Sequence, residues 1–197
     1  MTTEIIPSSL RDRYRIEERN HACGILASDF PAEWQDILDC LDRFWLKKSW
    51  MMVGGGGRSE IPKDIDGFLR KQRGWAEKEF DIRILVDGKE YTTPTHKIDN
   101  VKNRVAIEVE WNNKTEFYDR DLNNFRLLHQ LMVLSVGVII TRVGELQKLF
   151  DGLGIGNKYG NSTTLWEKLI PKVNGGGAGG CPLLLVGITE KCYRANE

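Results

Sequence analysis

Three carboxylates lie close together around one predicted strand, between Asp99 and Glu110. From Arg104 to Trp111 polar and apolar residues alternate, which is typical of a strand with one face on the core. The alternation places Glu108 and Glu110 on the same face, about 7 Å apart at roughly 3.3 Å rise per residue. Asp99 comes just before, where the chain turns into the strand. Carboxylates this close repel one another unless a positive charge lies between them, and Mg²⁺ is a cation that binds through oxygen ligands. The pattern therefore predicts a metal site, the alternative being a half-exposed strand that carries two glutamates.

The neighbouring residues favour a nucleic-acid substrate. A cation held by Asp99 and Glu108 would polarise a phosphate and lower the pKa of the attacking water. Glu110 would orient or deprotonate that water, or bind the metal itself. Amide side chains at the strand end, Asn112 and Asn113, are able to read base edges, although an Asn-Asn pair is more often a turn. Basic residues also lie close in sequence, although each such cluster alone is usually a solvated face: Lys97, Lys102, Arg104, Lys114 and Arg120.

Composition narrows the possible functions. The 197 residues suffice for one domain, and a formal net charge of zero means that any polyanion site must be built from locally placed bases. The cysteines form no C-x-x-C pair and the histidines are not clustered near them, so a structural zinc site is not expected. No apolar run approaches the ~20 residues needed to span a bilayer, and reduced thiols favour a cytoplasmic protein.

The elements that must position these residues alternate between strands and helices, which predicts a mixed α/β sheet wrapped by helices. Residues 1–20 are polar and are expected to form a loose terminus or a short helix. The Gly runs predict loops at 51–60, where Arg58 would be the charged tip of a linker or of an arm that orders on a ligand, and at 174–181. Helices are predicted from about 31 to 45, capped by Ser28 or Asp29, and at 61–75, 119–134, 145–150 and after Ser162 or Thr163. Strands are predicted at 80–86, 104–111, 136–141 and 183–188.

The spacing Asp99-x8-Glu108-x-Glu110 resembles the active-site motif of the PD-(D/E)xK nuclease superfamily. The whole stretch from 99 to 110 is similar to the BglII/BstYI branch of type II restriction endonucleases. The resemblance extends to the Trp34 helix and the segment before it, to the end of the helix at Trp75, and to the strands at 137–141 and 182–188. It therefore covers most of the chain.

This resemblance implies a restriction-endonuclease-like fold, with a mixed central sheet flanked by helices, as a single nuclease domain over residues 1–197. It implies a homodimer that binds double-stranded DNA and uses Mg²⁺, with Mn²⁺ as a substitute. Such an enzyme cuts both strands of a short palindromic site to leave 5′-phosphates, in a restriction-modification system of a bacterial or archaeal cytoplasm. The apolar helix after the active-site strand would supply much of the dimer contact. Residues expected to bind DNA are Arg58, Lys102, Arg104, Asn112, Asn113 and Lys114.

Two features depart from the family pattern. The third position of the motif is usually Lys in the superfamily and Gln in the closest relatives, whereas here it is Glu110, as in the related BamHI enzyme. The choice between water activation and metal ligation by this carboxylate stays open. The family also takes a polar or acidic residue from the helix before the active-site strands. Glu77 is the candidate for this catalytic and metal-binding role, and Glu79 is its rival.

Two other functions are compatible with the same residues. One is a structure-specific or repair nuclease of the same fold, which would cut mixed-sequence DNA without discrete products. The other is a non-catalytic DNA-binding module whose acidic strand is incidental, and which would not respond to Mg²⁺ or Mn²⁺.

Overall fold

A computed structural model of the protein describes residues 2–53, 58–92, 95–160 and 162–195. Its strands are β1 Tyr14–Arg19, β2 Leu46–Lys47, β3 Ala76–Lys78, β4 Arg83–Val86, β5 Lys89–Thr92, β6 Ile98–Lys102, β7 Val105–Glu110, β8 Val136–Arg142, β9 Leu183–Ile188 and β10 Tyr193–Arg194. Its α-helices are α1 Ser8–Arg13, α2 Ala22–Asp29, α3 Pro31–Arg43, α4 Lys48–Met52, α5 Glu60–Arg73, α6 Phe117–Gln130, α7 Leu146–Gly152 and α8 Trp166–Asn174. Short 3-10 helices cover Thr2–Ile5, Gly156–Tyr159 and Glu190–Cys192.

Six strands form one mixed sheet in the order β1-β9-β8-β7-β6-β3. Strands β7, β8 and β9 are parallel, and the outer pairings, β1 with β9, β7 with β6 and β6 with β3, are antiparallel. This architecture confirms the predicted mixed α/β sheet. The parallel strands are buried along their whole length, which explains why β8 and β9 read in the sequence as continuous apolar runs.

Helix α6 covers the face of the sheet that carries the acidic residues. In β7 all six residues are buried, so the alternation that predicted one solvent-exposed face was only partly correct. Helix α6 approaches β8 closely because Gly137 has no side chain: a Cβ there would lie 2.5 Å from the Phe125 ring. The apolar residues of α6 therefore pack on the chain's own sheet, and the apolar segment left exposed is Leu131, Met132 and Val133 just after it.

Helices α2 and α5 contact the strands of the sheet as well. Ser59 caps the N-terminus of α5, where its hydroxyl accepts a hydrogen bond from the Ile61 amide. Gly74 caps the C-terminus with a left-handed φ of 75°. The predicted cap of α3 was wrong, because Ser28 and Asp29 form the last turn of α2 and Phe30 precedes Pro31 at the helix start. Likewise Leu165, and neither Ser162 nor Thr163, precedes α8.

The N-terminal segment contains the short helix that was one of its two expected forms, followed by a strand that was not predicted. After the short helix α1, strand β1 pairs with β9 from Tyr14 opposite Ile188 to Arg19 opposite Leu183. An edge strand needs fewer apolar residues than a central one because one side of it meets solvent. Residues 15–19 are accordingly half-buried rather than alternately buried and exposed.

The predicted hairpin at Asp87-Gly88 is present, but it stands apart from the main sheet as the two-stranded sheet β4–β5. Asp87 and Gly88 have φ values of 49° and 78°, as a tight two-residue turn requires. Its first strand begins at Arg83 rather than Phe80, and all four residues of β4 are exposed.

The two Gly runs have different outcomes. In the first, Met51 and Met52 end α4 and Glu60 starts α5, so most of the loop predicted at 51–60 lies between two helices, and residues 54–57 fall outside the described residues. The second forms consecutive turns after Asn174, the last residue of α8. None of the helices in the described ranges has the length and apolar character required to cross a bilayer.

Candidate active site

Strands β6 and β7 bring Asp99 and Glu108 into contact. Asn100 pairs with Ile107 in the antiparallel register, so Asp99 falls opposite Glu108 one residue further on. The Asp99 amide donates to Glu108 Oε2 at 3.1 Å, and the Val109 amide donates to Asp99 Oδ2 at 3.2 Å. Asp99 lies within β6 rather than in a turn, and the antiparallel pairing is what joins the two carboxylates expected from the sequence.

Helix α6 contributes a fourth carboxylate, Asp121, which the sequence analysis did not select. Its side chain is fully buried and one of its oxygens, Oδ1, accepts hydrogen bonds from Arg120. The Arg120 Nη2 atom lies 2.8 Å from Asp121 Oδ1 and 3.6 Å from Glu110 Oε1. The other Glu110 oxygen, Oε2, accepts a hydrogen bond of 2.9 Å from Asn113 Nδ2. We call Asp99, Glu108, Glu110 and Asp121 the acidic cluster.

Burial raises the pKa of three carboxyls of the acidic cluster, those of Glu108, Glu110 and Asp121. Burial, reinforced by the negative charge of Asp121, raises the pKa of Glu110 to about 9, although the Asn113 hydrogen bond opposes the shift. Burial and the charges of Asp121 and Asp99 raise the pKa of Glu108 well above its usual range. Burial also raises the pKa of Asp121, against the opposing charge of Arg120. At neutral pH Glu110 is therefore protonated.

The acidic cluster has the donor chemistry that a hard divalent cation requires. Buried polar atoms normally have hydrogen-bond partners, yet Glu108 Oε1 has none within the described residues, whereas Asp121 shares a side-chain hydrogen bond with Glu110. A nearby positive charge would also lower the pKa of carboxylates that raise one another's pKa. In the part of the chain that the structure describes, however, no three His, Cys, Asp or Glu side chains converge on a point suited to a metal ion. The acidic cluster therefore offers oxygen atoms of the kind that a divalent cation binds. In the free protein, arginines supply the nearby positive charge.

A cleft of about 780 Å³ opens beside the acidic cluster, and its walls carry acidic and basic side chains. Glu110 and Asp99 line it, together with basic residues from distant parts of the chain: Arg58, Lys63, Lys97, Arg120 and Lys158. Lys63 and Lys158 are not among the residues expected from the sequence to line the site. Lys158 Nζ donates to the Met51 carbonyl at 3.0 Å, and its own carbonyl accepts from Asn112 Nδ2 at 3.1 Å. Lys158 therefore connects the residues that follow β7 to the segment that precedes the first Gly run.

Three of the residues expected to bind DNA line the cleft, namely Arg58, Asn112 and Asn113. Arg58 forms ion pairs with Asp66 and, at 3.2 Å, with Asp99. Lys114 is exposed next to Asn113 and forms an isolated bridge with Thr163.

The structure places Lys102 and Arg104 outside the cleft lining, so their part in DNA binding stays a prediction. Lys102 donates to Asp36 Oδ2 at 2.8 Å and to the Arg73 carbonyl at 2.9 Å, on the side of α3 and α5. Arg104 is exposed in the turn before β7 and thus lies about 20 Å from Glu110, at roughly 3.3 Å per strand residue.

Glu77 lies in strand β3 rather than on the preceding helix, because α5 ends at Arg73. It lines the cleft, with one oxygen 3.5 Å from Lys97 Nζ and the other 3.8 Å from Arg70 Nη2. Its rival Glu79 is exposed just after β3. Helix α5 itself places two acidic side chains near the site, Glu60, which lines the cleft, and Asp66, which accepts from Asn100 Nδ2 at 2.7 Å.

Comparison with known proteins assigns the chain to a family. The model of the family described as restriction endonuclease BglII/BglIII matches residues 14–188, from the first residue of β1 to the last residue of β9. The search of curated proteins found no match. Restriction endonucleases of this kind bind double-stranded DNA and generally use divalent metal ions. The chain thus belongs to the BglII/BglIII restriction endonuclease family, has the restriction-endonuclease-like α/β fold, and is a type II restriction endonuclease, a hydrolase.

Proposed function

We propose that this restriction endonuclease is a Mg²⁺-dependent, site-specific deoxyribonuclease formed by residues 1–197 as a single nuclease domain. In this proposal a homodimer hydrolyses both strands of a short palindromic site to give 5′-phosphates, in the cytoplasm of a bacterium or archaeon, and Mn²⁺ replaces Mg²⁺. The observation that carries the proposal is the acidic cluster, in which the buried Glu108 Oε1 atom has no partner among the described residues, beside a cleft lined by basic residues. Family membership argues against the non-catalytic alternative.

Asp99 and Glu108 would hold the cation, because they are cross-strand neighbours on β6 and β7 and the Asp99 amide contacts the Glu108 carboxylate. A bound Mg²⁺ would supply Lewis-acid polarisation of the scissile phosphate and make a water molecule more acidic. The phosphodiester is cleaved when a water oxygen forms a bond to phosphorus and the bond from phosphorus to the 3′ oxygen breaks. The products are then a 5′-phosphate and a 3′-hydroxyl.

Glu110 would orient the attacking water and accept its proton. The residue lies at the end of β7 on the cleft wall, and Asn113 fixes its Oε2 atom. Since the pKa of Glu110 is about 9 in the free protein, it becomes a carboxylate at neutral pH only when further positive charge enters the acidic cluster. Glu110 would therefore be unable to accept a proton from water until a cation is bound at the acidic cluster.

The cleft walls would position the DNA. Arg58 and Lys158 would contact phosphates, with Lys63 and Lys97, since lysine and arginine side chains fix the register of a protein on the duplex. Asn112 and Asn113 would approach base edges, and Lys114 would extend the same wall. Glu77 would hold Lys97 in place, because their side chains lie 3.5 Å apart.

A palindromic site requires two active sites related by a two-fold axis, and thus a dimer. The segment after α6 offers an apolar surface for it, because Leu131, Met132 and Val133 are 46%, 79% and 38% exposed. Exposed apolar residues in a row favour a protein contact.

The proposal is tested by digesting a plasmid with the purified protein and sequencing the ends. We expect discrete fragments with Mg²⁺, a single palindromic sequence at every end and 5′-phosphates, and no cleavage in EDTA. Asp99→Ala, Glu108→Ala and Glu110→Ala should each lower the cleavage rate by about 10²–10⁴-fold while DNA binding survives. Glu79→Ala, which removes an exposed carboxylate, is the matched control. A smear, a preference for branched DNA, or full cutting by the triple variant would contradict the proposal.

A further inference from the structure

Arg142, the last residue of β8, is a buried cation whose hydrogen bonds go to neutral oxygen atoms. Its side chain is fully buried, and Nη2 donates to the Tyr159 carbonyl and to Thr163 Oγ1, each at 3.0 Å. The Gly160 carbonyl lies 3.5 Å from the same nitrogen. Two further donors, Nε and Nη1, have no partner within the ranges that the structure describes. Arg142 thus joins β8 to residues 158–160 and 162–164, which we call the supporting segment.

Stability alone does not explain a cation at this position. Burial lowers the pKa of Arg142, so the environment disfavours the charged form. Burying a charge among neutral partners costs free energy, and apolar residues of similar size often replace buried ionic groups without loss of stability. A buried polar group that joins two segments can instead hold them in a single arrangement. The role of Arg142 then depends on what the supporting segment contacts.

The supporting segment runs beside the two asparagines that follow β7 and line the cleft. Asn112 Nδ2 donates to the Lys158 carbonyl at 3.1 Å, which fixes the orientation of the amide because a carbonyl accepts only from Nδ2. The Asn113 amide donates to Thr164 Oγ1 at 3.1 Å, and the Thr164 amide donates to the Asn113 carbonyl at 2.8 Å. The supporting segment therefore holds both the backbone and the side chains from which base contacts are proposed.

We infer that Arg142 is a positioning residue for base recognition: it holds the supporting segment, which in turn holds Asn112 and Asn113 at the angle required by base edges. The inference rests on the proposed site-specific cleavage and adds a residue that determines its specificity. Amides read bases through paired hydrogen bonds, which tolerate little displacement. Because Asn113 Nδ2 also donates to Glu110 Oε2, displacement should slow cleavage at the recognition site as well.

The inference predicts a loss of discrimination between DNA sites. Arg142→Met removes every donor and keeps an unbranched side chain. We expect the ratio of kcat/KM at the recognition site to kcat/KM at a site with one substituted base pair to fall by about 10-fold or more, the size of one good base contact. Arg142→Lys, which keeps the charge and one donor group, should give an intermediate ratio. If Arg142 only stabilised the fold, less folded enzyme would lower both kcat/KM values equally and leave the ratio unchanged.

The test measures cleavage of short duplexes by the full chain with Mg²⁺. One duplex carries the recognition site found by sequencing plasmid ends, and the others carry single base-pair substitutions in it. Gly137→Ala is the matched control, because it lies at the opposite end of the same strand and should lower stability through Phe125 without touching the supporting segment. We expect this control to keep the wild-type ratio.

Two results would overturn the inference alone: a wild-type ratio in Arg142→Met, or an equal loss of the ratio in Gly137→Ala. Failure of wild type to discriminate between the duplexes would overturn the proposed function as well. Circular dichroism shows whether each variant is folded. If Arg142→Met does not fold, Thr163→Val decides, since it removes one acceptor of the Arg142 guanidinium from a half-buried residue. An unchanged ratio in Thr163→Val would then refute the positioning role.

Discussion

Replacing Glu110 by glutamine should change how the stability of the protein depends on pH. In the folded protein, burial and the charge of Asp121 raise the pKa of Glu110 from an ordinary 4.5 to about 9. In the unfolded chain the same carboxyl is exposed to water and ionises near its ordinary pKa. Between these two pH values the native state therefore holds one proton more than the unfolded state.

The sign and size of the effect follow from proton linkage. A native state that binds one extra proton loses unfolding free energy as the pH rises, by about 1.4 kcal/mol for each pH unit. From pH 5.5 to pH 8, both inside the window, Glu110 alone contributes a loss of about 3 kcal/mol. Glutamine carries no such proton, so the unfolding free energy of the variant should gain on that of wild type by about 3 kcal/mol between pH 5.5 and pH 8.

The measurement is urea unfolding in EDTA at several pH values between 5.5 and 8. Wild type, Glu110→Gln and the exposed control Glu79→Gln are compared, so that all other titrating groups cancel. We expect the curve of unfolding free energy against pH to be flatter for Glu110→Gln, while the control follows wild type. Parallel curves for wild type and Glu110→Gln would refute the argument that the acidic cluster holds a proton.

Three other substitutions separate stability, packing and assembly. Lys102→Met should leave cleavage unchanged but lower the unfolding free energy by about 1–3 kcal/mol, because buried Asp36 loses its ammonium partner; a large loss of cleavage in a stable variant would restore Lys102 to the DNA contacts. Gly137→Ala should lower the unfolding free energy by about 1–3 kcal/mol in urea denaturation, since the new Cβ would clash with the Phe125 ring, and an unchanged midpoint would contradict that close approach. Met132→Lys should convert a dimer to monomers in analytical ultracentrifugation, and persistence of the dimer would place the interface elsewhere.

The central strands could be predicted from the sequence because their signals are local. The start of β8 at Val136 and both ends of β9, Leu183 and Ile188, agree with the apolar runs, which are continuous because helices cover both faces. Strand β1 was not predicted because an edge strand does not require alternation. Its pairing with β9 joins residues about 170 positions apart, and a local sequence pattern does not predict such a contact.

The site residues on β6 and β7 could be predicted from the sequence, whereas the carboxylate that helix α6 contributes was not selected. Asp99, Glu108 and Glu110 lie on two neighbouring strands, and their spacing carries the motif. Asp121 had a detectable signal, since it is three residues after Tyr118 and four before Phe125 and so lies on the buried stripe of α6. A charged residue on such a stripe needs a partner, which is a reason to examine it as a site residue.

The charge balance explains how a chain with zero net charge can present a binding cleft to DNA. Carboxylates in a cleft would repel phosphates if all were ionised, but burial keeps Glu110 protonated and arginines compensate Asp99 and Asp121. The free cleft is therefore less negative than its composition suggests, and the lysines on its walls remain effective toward a polyanion. In the proposed mechanism Glu110 ionises when positive charge enters the acidic cluster, so the arrangement that permits DNA to approach would also prevent this base from acting before the cation is present.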